Sequence, residues 1–127
     1  MIGARQLPEL GVTAQQVHHL VERGSVHRLD PQVYRMAGAP RTWSSDLSAG
    51  LHGLGPDAVV SFRAAAKLHG FDRFTRDELE FTVQRRRRGA FFLDATIHTS
   101  LVLPSSDIVI VRGLRTSHPN RTIIDLA

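Results

Sequence analysis

Apolar residues recur along this chain first with a helical period and later with a period of two. From Ala4 to Glu9 the pattern predicts a short helix, with Pro8 in its first turn or breaking it. Gly11-Val12 reads as a tight turn, and Thr13 as the N-cap of a helix over Ala14 to Arg23 that Gly24 ends. Gln16 stands at the capping-box spacing from Thr13. Val17, Leu20 and Val21 share one face of this helix. Gln15 and His19 point the opposite way, flanked by Glu22 and Arg23. Val26–Leu29 and Val33–Met36 read as two short strands joined by the turn Asp30-Pro31-Gln32.

After the break at Gly38-Ala39-Pro40, Thr42 can cap a helix from Trp43 to about Gly53. Its stripe is Trp43, Leu47, Leu51 and Leu54. Val59-Val60 leads to Ser61, an N-cap signal for an alanine-rich helix over Phe62–His69 that Gly70 stops. From Glu78 the period becomes two: Leu79, Phe81 and Val83 alternate with Glu80 and Thr82, as in a half-buried strand. Phe91–Leu93, Thr96–His98, Ile108–Val111 and Leu114–Thr116 are further strand candidates. Asn120–Ala127 reads as a helix with Pro119 at its first position.

The expected fold class is therefore α+β. Residues 1–37 form a winged helix-turn-helix, and residues 42–127 a small α/β region with an antiparallel sheet. Helix, Gly turn, helix and basic hairpin are the outline of that DNA-binding motif, whose second helix enters the major groove. This picks out Thr13, Gln15, Gln16, His19 and Arg23 on the helix as base or phosphate contacts, with Arg28 and Arg35 on the hairpin holding backbone. The same helix, taken alone, also fits an ordinary amphipathic surface helix.

Charge adds less than it first suggests. The net charge is +4, carried by fifteen arginines and one lysine, Lys67. Positive charge favours polyanions through phosphate contacts, but arginine excess of this kind also follows from a GC-rich coding sequence. The run Arg85, Arg86, Arg87, Arg88 can clamp phosphates or simply stay solvated in a turn between strands. Arg63 and Lys67 form an exposed i,i+4 pair.

Several chemistries are not expected. With no cysteine there is no disulfide framework, thiolate metal site or cysteine nucleophile. His18 and His19 diverge on a helix, and His52, His69, His98 and His118 are scattered, so no metal site is expected. Asp77, Glu78 and Glu80 read as surface residues at a strand entry. Lys67 has no carboxylate two residues before it, so a nuclease site is not expected and the chain is not read as an enzyme. No phosphate-binding glycine loop or Gly-x-Ser-x-Gly elbow is present, and no cofactor is implied. No run approaches the roughly 18 apolar residues of a membrane span, and no signal peptide is seen, which fits a cytoplasmic protein.

Six phrases occur in a telling order: Gly11-Val12-Thr13, Val26-His27-Arg28-Leu29, Val33-Tyr34-Arg35, Ala58-Val59-Val60-Ser61, Ala64-Ala65-Ala66-Lys67-Leu68-His69-Gly70-Phe71 and Arg121-Thr122-Ile123-Ile124-Asp125-Leu126-Ala127. In this order they resemble the N-terminal and middle parts of actinobacterial AbiEi-like proteins, the antitoxins of type IV toxin–antitoxin systems. The resemblance implies a winged helix that represses its own promoter and a nucleotidyltransferase-like toxin as partner. It also implies a further C-terminal region, resembling in many relatives a very-short-patch-repair-like endonuclease. The alternative reading is accordingly the N-terminal fragment of such an endonuclease-family protein without its catalytic region. The sequence departs from the family in three ways. It shows no helix before Ala4–Leu10. It ends inside the helix from Asn120, before the family's C-terminal region. It has Phe62 where histidine is common and His118 where serine is common.

Overall fold

A computed structural model describes residues 1–87 and 89–127. The chain is α+β and divides into two compact units, residues 1–53 and 54–127.

The first unit runs β1 (Ile2–Gly3), α1 (Gln6–Glu9), α2 (Ala14–Glu22), β2 (Val26–Asp30), β3 (Val33–Met36) and α3 (Trp43–Leu54), whose last residue lies at the unit boundary. β1 is an element that the hydrophobic pattern did not indicate. It pairs antiparallel with β3, giving a three-stranded sheet in the order β1-β3-β2. The expected helix over Ala4–Glu9 shortens to α1, with Pro8 inside it where no helical N–H is missed. Of the α3 stripe, Leu47 is fully buried, while Trp43, Leu51 and Leu54 are half-buried beside buried Ala49 and Gly50.

β1 lies close against α3. A Cβ on Gly3 would stand 2.5 Å from His52 Nδ1, so this position accepts only glycine unless the ring moves. Burial chiefly, then the charges of the Met1 α-amino group and Arg5, hold the His52 pKa below its usual 6.5. The folded unit therefore favours the neutral ring. Stability from this site is present above pH 6.5, declines as pH falls below that value, and is lost once pH passes below the lowered folded value. Urea midpoints measured across this range should fall towards acid, and His52→Gln should flatten that fall.

The second unit runs β4 (Val59–Val60), α4 (Phe62–Leu68), β5 (Glu80–Val83), β6 (Thr96–Thr99), a 3-10 turn (Ser105–Asp107), β7 (Ile108–Val111), β8 (Leu114–Ser117) and α5 (Pro119–Leu126). Its sheet has the order β6-β5-β4-β8-β7. The expected antiparallel pairing holds for β4–β5 and β7–β8. β5–β6 and β4–β8 are parallel, so the sheet is mixed. Parallel neighbours need a long crossover rather than a hairpin. Arg85, Arg86 and Arg87 therefore lie in the crossover from β5 to β6, not in a turn of a hairpin. The strand expected at Phe91–Leu93 is absent. Its aromatics instead make local contacts: the Phe91 ring lies 4.7 Å from that of Phe92 and takes the Arg87 guanidinium at 4.7 Å.

α4 packs on α5 and on β5. Ala64, Ala65 and Ala66 are fully buried, and their small side chains let these elements approach closely. Thr122 of α5 is buried and shares a 2.7 Å hydrogen bond with Ser117 at the end of β8. Arg121 ties α5 to the preceding loop, pairing with Asp125 at 2.9 Å and Asp107 at 3.0 Å and donating to the Val102 carbonyl.

β5 is buried on both faces, not half-buried as its alternation suggested. Glu80, read from the sequence as a surface residue, is 2% exposed. It accepts from the Arg63 guanidinium at 3.2 Å and the Arg63 backbone N–H at 3.4 Å, and pairs with His98 Nε2 at 2.8 Å. Ser61 is the N-cap of α4 by position, but its side chain makes no cap hydrogen bond. It accepts instead from the Thr82 hydroxyl. Glu80 thus meets a free helix N–H from a neighbouring strand. Phe62, with φ +53°, stacks its ring 3.7 Å from that of His98. Glu80→Ala should lower the unfolding free energy by about 2–3 kcal/mol, read from urea denaturation; both former partners retain access to water, so the cost stays at the low end for a broken buried pair.

Candidate nucleic-acid interface

The first unit presents the sequence-selected residues on α2 and the β2–β3 hairpin. α1 ends in a Schellman turn. The N–H of Gly11 (φ +73°) donates to the Pro8 carbonyl, and that of Val12 to Leu7. Thr13 then starts α2, so four residues separate the helices. The capping box is complete. Thr13 Oγ1 accepts from the Gln16 N–H at 3.1 Å, and Gln16 Oε1 accepts from the Thr13 N–H at 2.8 Å. A second Schellman turn closes α2: Gly24 (φ +74°) donates to Val21 and Ser25 to Leu20. The chain enters β2 one residue later, at Val26.

This framing decides which side chains are free. Val17 is buried, and Gln15, Gln16, His18, His19 and Arg23 are exposed. Gln15, His19 and Arg23 follow one another at i, i+4 and i+8, on one face. Gln16 has its carbonyl oxygen committed to the cap, so it positions the helix start and keeps only its amide N–H groups for a ligand. His18 turns aside to Glu22, at 3.0 Å. A shallow groove of about 350 Å³ runs along the helix between Gly11, Val12, Gln16, His19 and Leu20.

The hairpin arginines are not brought together. Opposite residues of an antiparallel pair share a face. The register sets Arg28 against Tyr34 and His27 against Arg35. Arg28 and Arg35 therefore point to opposite faces. Arg28 is exposed; Arg35 is half-buried and lies on the face of the fully buried Val33.

In the second unit, Arg85 and Arg86 are exposed, while Arg87 donates to the Ala90 carbonyl at 2.8 Å besides covering Phe91. Arg88 lies outside the described residues. Among the described residues, no three His, Asp or Glu side chains converge on a point that could hold a metal ion. No helix among them is long and apolar enough to cross a membrane. The Glu80–His98–Arg63 cluster is the arrangement that residue spacing did not reveal. Its members come from β5, β6 and α4: the parallel β5–β6 pairing brings His98 to Glu80, and the packing of α4 on β5 brings Arg63.

Neither a protein-family model nor a curated protein matches the chain.

The capping box is testable in isolation. Thr13→Ala should cost about 1 kcal/mol of stability in chemical denaturation. It should also lower far-ultraviolet ellipticity near neutral pH, while Thr13→Ser preserves both.

Proposed function

We propose that the first unit is a winged helix-turn-helix and that this chain binds double-stranded DNA. In this reading it is a transcriptional repressor of its own promoter and the antitoxin of a type IV, AbiEi-like pair. The observation that carries the reading is the order strand, helix, four-residue turn, helix, hairpin, with β1 laid on β3. This is the order in which a winged helix places a recognition helix beside its wing. A resemblance in sequence to AbiEi-like proteins supports the antitoxin role and a nucleotidyltransferase-like toxin as partner.

Side-chain commitments sharpen the roles. Gln15, His19 and Arg23 face outward together and are the base-reading set, with glutamine suited to adenine and arginine to guanine. Thr13 and Gln16 hold the helix start that aims them. Arg28 holds phosphate from the wing, and Arg35, on the other face, does not.

Gel-shift titrations with the duplex upstream of the chain's own operon test this. Tight binding to that duplex over scrambled DNA is expected. Arg28→Ala should weaken binding to all sequences and reduce the slope of log affinity against log salt by about 1, whereas Arg35→Ala should leave the slope unchanged. Gln15→Ala should narrow the preference for the operator. Equal affinity for any duplex, or no binding at low salt, rejects sequence-specific repression. Failure to co-purify with a nucleotidyltransferase-like neighbour rejects the antitoxin role alone.

A further inference from the structure

We propose that the loop between α4 and β5 is a binding site for the phosphate of a nucleoside monoester. The proposal rests on the second unit and is independent of DNA binding by the first.

Charge is unevenly divided. The first unit carries five arginines against four acidic residues, and the second eleven basic residues against eight acidic ones. Three of those arginines line one cavity of about 260 Å³, together with Phe74, Thr75 and Glu78. That volume lies just below the range usual for ligand clefts and suits the phosphate end of a small ester. Arg63 is anchored from below by Glu80, yet its side chain stays 62% exposed. Arg73 and Arg76 are exposed, and neither forms an ion pair among the described residues. Three guanidiniums therefore line one small space with Glu78, while Glu80 lies beneath Arg63. Guanidinium forks match phosphate oxygens two at a time. The Thr75 hydroxyl adds a donor and the Phe74 ring an apolar wall.

The backbone supplies a second, separate observation. Phe71 to Phe74 form a β-turn closed by the Phe74 N–H on the Phe71 carbonyl. Arg73 occupies its third position at φ +72°, while Asp72 before it has no positive φ. That is the type II arrangement, in which the third position calls for glycine. An arginine there costs stability and gives nothing to the turn. Strain of this kind gathers where a side chain has a task. Here the left-handed residue is one of the three that line the cavity.

The test uses the full chain at low salt and titration calorimetry with adenosine monophosphate. A second arm compares a 5′-phosphorylated single-stranded trinucleotide with its unphosphorylated twin. Arg73→Gly removes the guanidinium and relieves the backbone. Its matched control is Arg112→Gly, which also removes one charge and one strained φ, at +52° in the β7–β8 hairpin. Both variants should melt higher than the parent. Arg73→Gly and Arg76→Gln should weaken monophosphate binding at least tenfold, and Arg112→Gly should leave it unchanged. Binding of the monophosphate alone assigns a free nucleotide. Binding of the phosphorylated trinucleotide as well, but not its twin, assigns the end of a nucleic acid strand. No binding of either phosphate, or equal losses in Arg73→Gly and Arg112→Gly, overturns the proposal.

Discussion

A carboxylate taken out of water needs donors in place of the solvent it has lost. Glu80 obtains them from two different elements, the start of α4 and strand β6. Its own strand, β5, lies between β4 and β6. One side chain therefore fixes the helix over the sheet and the parallel neighbour beside it. The consequences spread outward. Ser61 is released from capping and bonds to Thr82 instead, and Phe62 is left to close over His98. Arg63, drawn inward at one nitrogen, is held where the α4–β5 loop folds past it. A hydrophobic residue at position 80 could pack, but it could not orient those three neighbours.

The first unit relies on backbone geometry rather than on a buried charge. A capping box and a Schellman turn fix the two ends of α2, and another Schellman turn closes α1 just before it. The helix has only nine residues, too few to be stable without such ends and a packed face. Val17 provides that face and leaves the outer residues without a structural task. This separation of roles, caps and core on one side and free polar groups on the other, is what makes Gln15, His19 and Arg23 available.

Features set by neighbours in sequence could be read in advance. Thr13 with Gln16, Gly24 after α2, and the two hairpin strands depend on local rules, and the structure has them where spacing put them. Features set by distant partners could not. β1 is two residues long and has no period to detect. Alternation in Leu79–Val83 implied one wet face, because periodicity cannot tell a central strand from an edge. Nor can it tell parallel from antiparallel neighbours, so the mixed sheet and the Glu80–His98 contact stayed hidden. The aromatic run at Phe91–Leu93 imitated a strand while its rings served Arg87 and each other. Arg28 and Arg35 looked alike until the register separated them; the parity of a hairpin depends on its turn.

The parallel contact of β4 with β8 has a kinetic consequence. Its partners are Val60 and Thr116, about three-quarters of the second unit apart in sequence, and β4 itself offers only two residues to hold them. Contacts of such separation close late and slowly, because the loop entropy is paid before the pairing returns anything. The β2–β3 hairpin closes over a few residues and has no such wait. A growing chain can thus assemble its hairpin early, while the sheet of the second unit must hold exposed strand edges open until β8 has been made.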